Sequence, residues 1–144
     1  MTHTGQETIL LADDQEMILR LGQGLLERHG YRVLTVPDGD QAVEVYRQRM
    51  HEIDLVILDL SMPGLSGQEA LRELRRLNPS VGVLFSSASL TDLSIEDVDP
   101  GDVTGLLAKP YQVAELLPCV RAALEKVRGQ GTSGEGGSGP SGAP

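Results

Sequence analysis

The sequence predicts an α/β fold built as a doubly wound, five-stranded parallel sheet. Short β-branched or leucine-rich runs recur five times along the chain. Stretches with helical apolar spacing separate them. Three of the runs, around Leu10, Val56 and Val83, are nearly continuous rather than alternating, which is how a parallel strand buried on both faces reads. Right-handed crossovers between such strands place helices on both faces of the sheet. The segments are too few and too short for a full dinucleotide-binding double unit or a barrel, and there is no internal repeat.

The first strand is residues 8–12 (TILLA). Ile18, Leu21, Leu25 and His29 follow at helical spacing, with Gly30 as a C-cap. The second strand is residues 31–36 (YRVLTV), and Ala42, Val45, Tyr46 and Arg49 line one face of the next helix. The third strand is residues 54–58 (DLVIL). Ala70, Leu71, Leu74 and Leu77 line the third helix, which ends at Asn78-Pro79 because proline pushes the residue before it out of the helical region. Residues 81–85 (VGVLF) form the fourth strand. Residues 89–104 have little helical periodicity and carry the turn signal Asp99-Pro100-Gly101, so one short, poorly formed helix is expected over 90–98. The fifth strand is residues 105–108 (GLLA). Val113, Leu116, Leu117, Val120, Leu124 and Val127 line the last helix, in which Pro118 is expected to make a kink or shift the start.

Composition bounds the function. The 144 residues make one domain. Twelve of the last sixteen residues are Gly, Ser or Pro, too little apolar surface to offset the entropy of ordering them. The expected organisation is therefore a flexible arm over 1–7, a folded domain over 8–128 and a disordered tail over 129–144. The net charge of -9 and pI of about 4.7 repel phosphate backbones and anionic lipid. Aromatics are 3% with no Trp, which disfavours base stacking. No apolar run approaches the ~20 residues of a membrane span. The start of the chain is polar rather than signal-like, and the lone Cys119 excludes a disulfide framework. The expected compartment is the cytoplasm, with no direct contact to nucleic acid or membrane.

Open parallel sheets bind ligands beyond the C-terminal ends of their strands. Asp13-Asp14 follow the first run, Asp59 the third, Ser86-Ser87 the fourth and Lys109-Pro110 the fifth. Three carboxylates, a hydroxyl and an ammonium thus converge on one edge. Unit charges ~4 Å apart at an effective dielectric of ~20 interact by roughly 4 kcal/mol, so the acids need compensation. Mg²⁺ suits them, since it takes one or two carboxylates and keeps waters for a phosphoryl group, and Lys109 adds a point donor to phosphate. Asp59, held just past a buried strand, can act as a nucleophile on phosphorus. Ser87 can donate to phosphoryl oxygens, and the small Ala88 leaves room for a donor.

This set resembles the receiver domain of two-component response regulators. The residues concerned are Asp13 and Asp14 in LLADD, and Asp59, Met62, Pro63, Gly64 and Gly67 in DLSMPGLSG. Ser87-Ala88, Lys109-Pro110 and the turn PDGDQA at 37–42 complete it. The resemblance covers roughly residues 8–128. It implies a flavodoxin-like receiver fold with strand order 2-1-3-4-5. It implies Asp59 as phosphoacceptor, with Mg²⁺ held by Asp13, Asp14, Asp59 and the backbone carbonyl of Ser61. Ser87 and Lys109 would read the phosphoryl group. The donor would be a phosphohistidine on a histidine kinase or histidine phosphotransfer protein, and the product would switch a surface that binds a downstream protein. Such a chain is a signalling phosphoacceptor with slow self-dephosphorylation, not a turnover enzyme. Two features depart from the family: Leu106 stands where an aromatic is usual, and residues 77–108 contain no Lys or Arg while Asp92, Glu96, Asp97, Asp99 and Asp102 cluster there.

Other readings compete. Asp13 and Asp14 also suit a helix N-cap; the presence of Asp59 and Lys109 favours the metal. The acidic cluster reads as a solvated face or as a surface for a basic partner. Cys119 reads as a packing residue. A haloacid-dehalogenase-like phosphatase would need a second acid at Ser61. A flavin-binding protein would place a phosphate loop where Asp13-Asp14 would repel it. A phosphorylation-independent adaptor is the remaining alternative.

Overall fold

The computed structural model describes residues 7–60, 65–87, 105–109 and 111–133. Five strands alternate with four helices over these residues: β1 (Thr8–Ala12), α1 (Glu16–Glu27), β2 (Arg32–Val36), α2 (Gly39–Arg49), β3 (Leu55–Asp59), α3 (Gly67–Leu77), β4 (Val83–Ser87), β5 (Gly105–Ala108) and α4 (Val113–Ser133). All pairings are parallel and the order is β2-β1-β3-β4-β5, as expected. No helix among the described residues is long and apolar enough to cross a membrane.

Side chains leave alternate faces of a strand, and the core divides accordingly. Leu10, Ala12, Val56, Leu58, Val83 and Phe85 pack against Ala42, Val43 and Tyr46 of α2 and Ala70, Leu71 and Leu74 of α3. Ile9, Leu11, Leu55, Ile57, Leu84 and Leu107 pack against Leu26 of α1 and Leu116, Leu117 and Val120 of α4. β1 and β3 are buried along their whole length, which accounts for their unbroken apolar runs.

Several boundaries differ from expectation. β3 ends on Asp59 and β4 on Ser87, so these polar residues belong to the strands rather than following them. Asp59 pairs with Ser86, because the ladder is made by backbone groups and continues past the apolar run. In α1, Leu21 is 38% exposed, while Gly22 and Leu26 are buried. His29 is exposed and its Nδ1 lies 3.0 Å from the Leu25 carbonyl oxygen. The helix turns its glycine to the sheet because a Cβ at Gly22 would lie 2.7 Å from Leu11 Cδ2. Gly30, at φ 94°, ends the turn into β2.

α4 begins at Val113, so Pro118 does not displace its start; burial of Leu116, Leu117 and Val120 on both sides of the proline holds the segment to the sheet. Val113 itself is 44% exposed rather than in the stripe. α4 continues to Ser133, past the expected boundary at Arg128. The short helix expected over 90–98 and the acidic cluster at 92–102 lie outside the described residues.

Candidate functional site

The site is assembled at the C-terminal edge of the sheet. The Asp13 amide donates to the Val36 carbonyl (3.2 Å), extending the β1–β2 ladder by one residue. Its side chain, fully buried, continues the Ile9–Leu11 row toward α1 and α4 by strand alternation. Asp13 Oδ1 accepts from the Gln15 amide at 2.8 Å. Asp59 continues the Leu55–Ile57 row in the same way and is 2% exposed. The Lys109 amide donates to the Ser87 carbonyl at 2.9 Å, so the ladder also carries the lysine.

Lys109 Nζ donates to Asp13 Oδ2 at 2.9 Å and lies 3.1 Å from Asp59 Oδ2. The lysine side chain is 8% exposed and those of the acids 0% and 3%. Burial pulls the ammonium's pKa down, but the hydrogen bonds and charges of Asp59 and Asp13 outweigh it and hold the pKa above the ordinary lysine value. Asp14 is exposed, and one carboxylate oxygen from each of Asp13, Asp14 and Asp59 falls within 4.8 Å of the others.

The donor set fits Mg²⁺. Oxygens bound at 2.0–2.1 Å are at most about 4 Å apart across an octahedron, so modest side-chain rotation closes the cluster around an ion. Three acids facing one ammonium leave two negative charges uncompensated, the charge of one divalent cation. The structure thus brings together Asp13, Asp14, Asp59 and Lys109. Ser87, half-buried, ends β4 and is tied to Lys109 through its carbonyl. Ser61, with residues 62–64, Ala88 and Pro110, lies outside the described residues, as does the side chain of Leu106.

Glycines let the elements close on this edge. A Cβ at Gly67, the first residue of α3, would lie 2.9 Å from the Asp59 carbonyl oxygen and from Leu60 Cα. The helix therefore starts against the backbone of Asp59. Ser66 caps it, accepting from the Glu69 amide while Glu69 accepts from the Ser66 amide.

Two further residues stand at the site: Ser86, which the sequence places at the strand end beside Ser87 without a role, and Tyr111, which the sequence reading does not single out. Ser86 pairs with Asp59 and is fully buried; Tyr111, two residues after Lys109, is 4% exposed. Burial pushes the Tyr111 phenol well up; the charges of Asp13 and Asp59 act in the same direction and the Ser86 hydroxyl against it. The available signals were a serine interrupting the Leu84 row and one of only three tyrosines in the chain.

These shifts carry a consequence at alkaline pH. Burial raises the Cys119 thiol above 9.0 and the Tyr46 and Tyr111 phenols above 10.0, and Lys109 lies above 10.5. In each case the folded protein keeps a proton that the unfolded chain releases first. The associated stability is complete below the unfolded pKa and is lost as pH rises through the folded one. Urea midpoints are expected to fall above about pH 9. A midpoint unchanged to about pH 11 would contradict the burial of the thiol and phenols and the ion pair of Lys109.

A family model described as response regulator receiver domain matches residues 9–121. The chain is 36% identical over 125 residues to the uncharacterized transcriptional regulatory protein YkoG of Bacillus subtilis, covering 82% of this chain and 51% of that protein. It is 31% identical over 123 residues to the sensor kinase CckA of Brucella abortus, covering 85% of this chain and 13% of that one. The chain thus spans about half of one of these curated relatives and about an eighth of the other. Among solved structures, a receiver domain protein from Clostridium thermocellum superposes with a TM-score of 0.78 at 28% identity, covering 86% of this chain and 98% of that one. The signal receiver domain of an HD domain-containing protein from Pseudomonas fluorescens Pf-5 gives 0.77 at 32% identity, with the same coverage.

Proposed function

The chain belongs to the response regulator receiver domain family, and on that premise we propose that it is the phosphoacceptor of a two-component phosphorelay. Asp59 accepts the phosphoryl group from a phosphohistidine on a histidine kinase or histidine phosphotransfer protein. A carboxylate oxygen bonds to phosphorus as the P–N bond breaks, the imidazole leaves and takes up a proton, and the product is an acyl phosphate. Asp13, Asp14 and Asp59, with the Ser61 carbonyl that the resemblance implies, would hold Mg²⁺, which would supply charge neutralisation at the phosphoryl oxygens. Lys109 and Ser87 donate to those oxygens. The modified domain then presents a changed surface to a downstream protein, in the cytoplasm, and loses the phosphoryl group only slowly.

The observation that supports this reading best is the Lys109 ammonium bridging Asp13 and Asp59, with Asp14 alongside. A buried cation shared by two acids is a poor way to gain stability alone, whereas it is already placed to meet the charge of an arriving phosphoryl group.

The test is intact mass after incubation with Mg²⁺ and acetyl phosphate. The expected result is a gain of one phosphoryl group in the parent protein and none in Asp59→Asn. A gain that survives Asp59→Asn would remove Asp59 from this role. No gain at saturating donor would favour an adaptor that works without phosphorylation, and sustained turnover of phosphomonoesters would favour a phosphatase.

A further inference from the structure

Tyr111 and Ser86 do something that packing does not require. The Tyr111 ring sits against α1 where Gly22 leaves room for it: a Cβ there would lie 3.1 Å from Tyr111 Cε2. Phenylalanine would fill that seat equally well. The hydroxyl is an addition, and both it and Ser86 Oγ are buried side-chain oxygens with no hydrogen-bond partner. The two are neighbours, near enough for the Ser86 hydroxyl to pull the phenol's pKa down, yet they do not meet hydrogen-bond geometry. A buried hydroxyl without a partner bears its full desolvation cost. Two such groups side by side can relieve that cost together.

Their position says when. Ser86 is the ladder partner of Asp59, and Tyr111 follows Lys109 by two residues. In the unloaded site Lys109 is held by Asp13 and Asp59, 2.9 and 3.1 Å away. Loading Asp59 with a phosphoryl group draws the ammonium toward the new oxygens. Ser86, paired with Asp59, and Tyr111, two residues after Lys109, can then readjust, and rotation about the Ser86 side chain turns its hydroxyl.

We propose that Ser86 and Tyr111 are positioning residues whose hydroxyls join in a hydrogen bond when Asp59 is loaded and Lys109 leaves it, so that the bond favours the loaded arrangement of the lysine. The proposal rests on the phosphoacceptor reading above. Neither residue touches the reacting atoms; both act through Asp59 and Lys109.

The experiment is a double-mutant cycle with Ser86→Ala, Tyr111→Phe and the double variant, measured with and without Mg²⁺ and beryllofluoride as the phosphoryl mimic. Without ligand, each single variant is expected to be at least as resistant to urea as the parent protein. With Mg²⁺ present, calorimetric affinity for beryllofluoride is expected to fall about tenfold in each single variant, and by no more than that in the double variant. Losses that multiply in the double variant, or unchanged affinity in the singles, would overturn the pair, as would single variants that are less stable without ligand. If the parent protein does not bind beryllofluoride at all, the phosphoacceptor reading falls and takes this proposal with it. Binding without coupling overturns this proposal alone.

Discussion

Lys109→Met is expected to lower the stability of the metal-free protein by about 3–5 kcal/mol, the range seen when one member of a buried ion pair is removed. The lysine side chain is 8% exposed and bridges two acids that are 0% and 3% exposed. Methionine keeps most of the volume and removes the charge. Asp13 and Asp59 are then left facing each other, with Asp13 still held by the Gln15 amide. Mg²⁺ should restore part of the loss, because an ion that binds only the folded state stabilises it by about 2.7 kcal/mol at a hundred times its Kd. The parent protein should gain less, since its ammonium competes with the ion for the same oxygens. Urea unfolding of both proteins, with and without Mg²⁺, reads all four quantities. A loss under about 1 kcal/mol would mean that the pair is solvated like a surface bridge. Equal gains from Mg²⁺ in the two proteins would mean that the lysine and the ion do not share ligands. Lys109→Arg should not restore phosphorylation, because a planar fork cannot replace a compact ammonium between two separate carboxylates.

Gly39→Ala is expected to destabilise by about 1–3 kcal/mol, the usual cost of forcing atoms into a packed site. Its Cβ would run into the Leu65 carbonyl oxygen and lie 3.0 Å from Leu65 Cβ. The first of these is backbone and cannot swing aside as the end of a side chain can. Gly39 opens α2, and Leu65 immediately precedes the α3 cap at Ser66. Relieving the contact therefore moves the chain that follows Asp59, and phosphorylation should slow together with the loss of stability. Gly24→Ala is the matching control. Gly24 is in α1 with nothing within 4 Å of a new Cβ, so alanine should stabilise there by roughly 0.5–1 kcal/mol through helix propensity. If both substitutions stabilise, the close approach of α2 to Leu65 is not rigid.

The acids and the lysine were legible in the sequence for a physical reason. Charged residues at the ends of apolar runs have no packing role, so Asp13, Asp59 and Lys109 stand out, and the strand-end rule brings them together. The strand order followed from the resemblance. The ends of β3 and β4 were misplaced by one or two residues because backbone pairing does not depend on the polarity of side chains. Ile18 and Leu25 of the expected α1 stripe pack against the core; Leu21 does not, because an apolar side chain reads as core whereas the buried Gly22 matters for what it lacks. Ser86 was legible only as a strand-end residue beside Ser87, and Tyr111 not at all, because their relation is made between separate elements and no local pattern records it.

The sheet is one strand thick, so side chains on its opposite surfaces never meet. By alternation Asp13, Asp59 and Ser86 share the surface covered by α1 and α4, whereas Tyr46, Leu71 and Phe85 fill the other. The sheet is in effect a bulkhead. Substitutions can accumulate behind it, trading one hydrocarbon shape for another, without changing the electric field felt by an incoming anion. A short chain can in this way drift in its thermal tolerance while its chemistry is inherited intact.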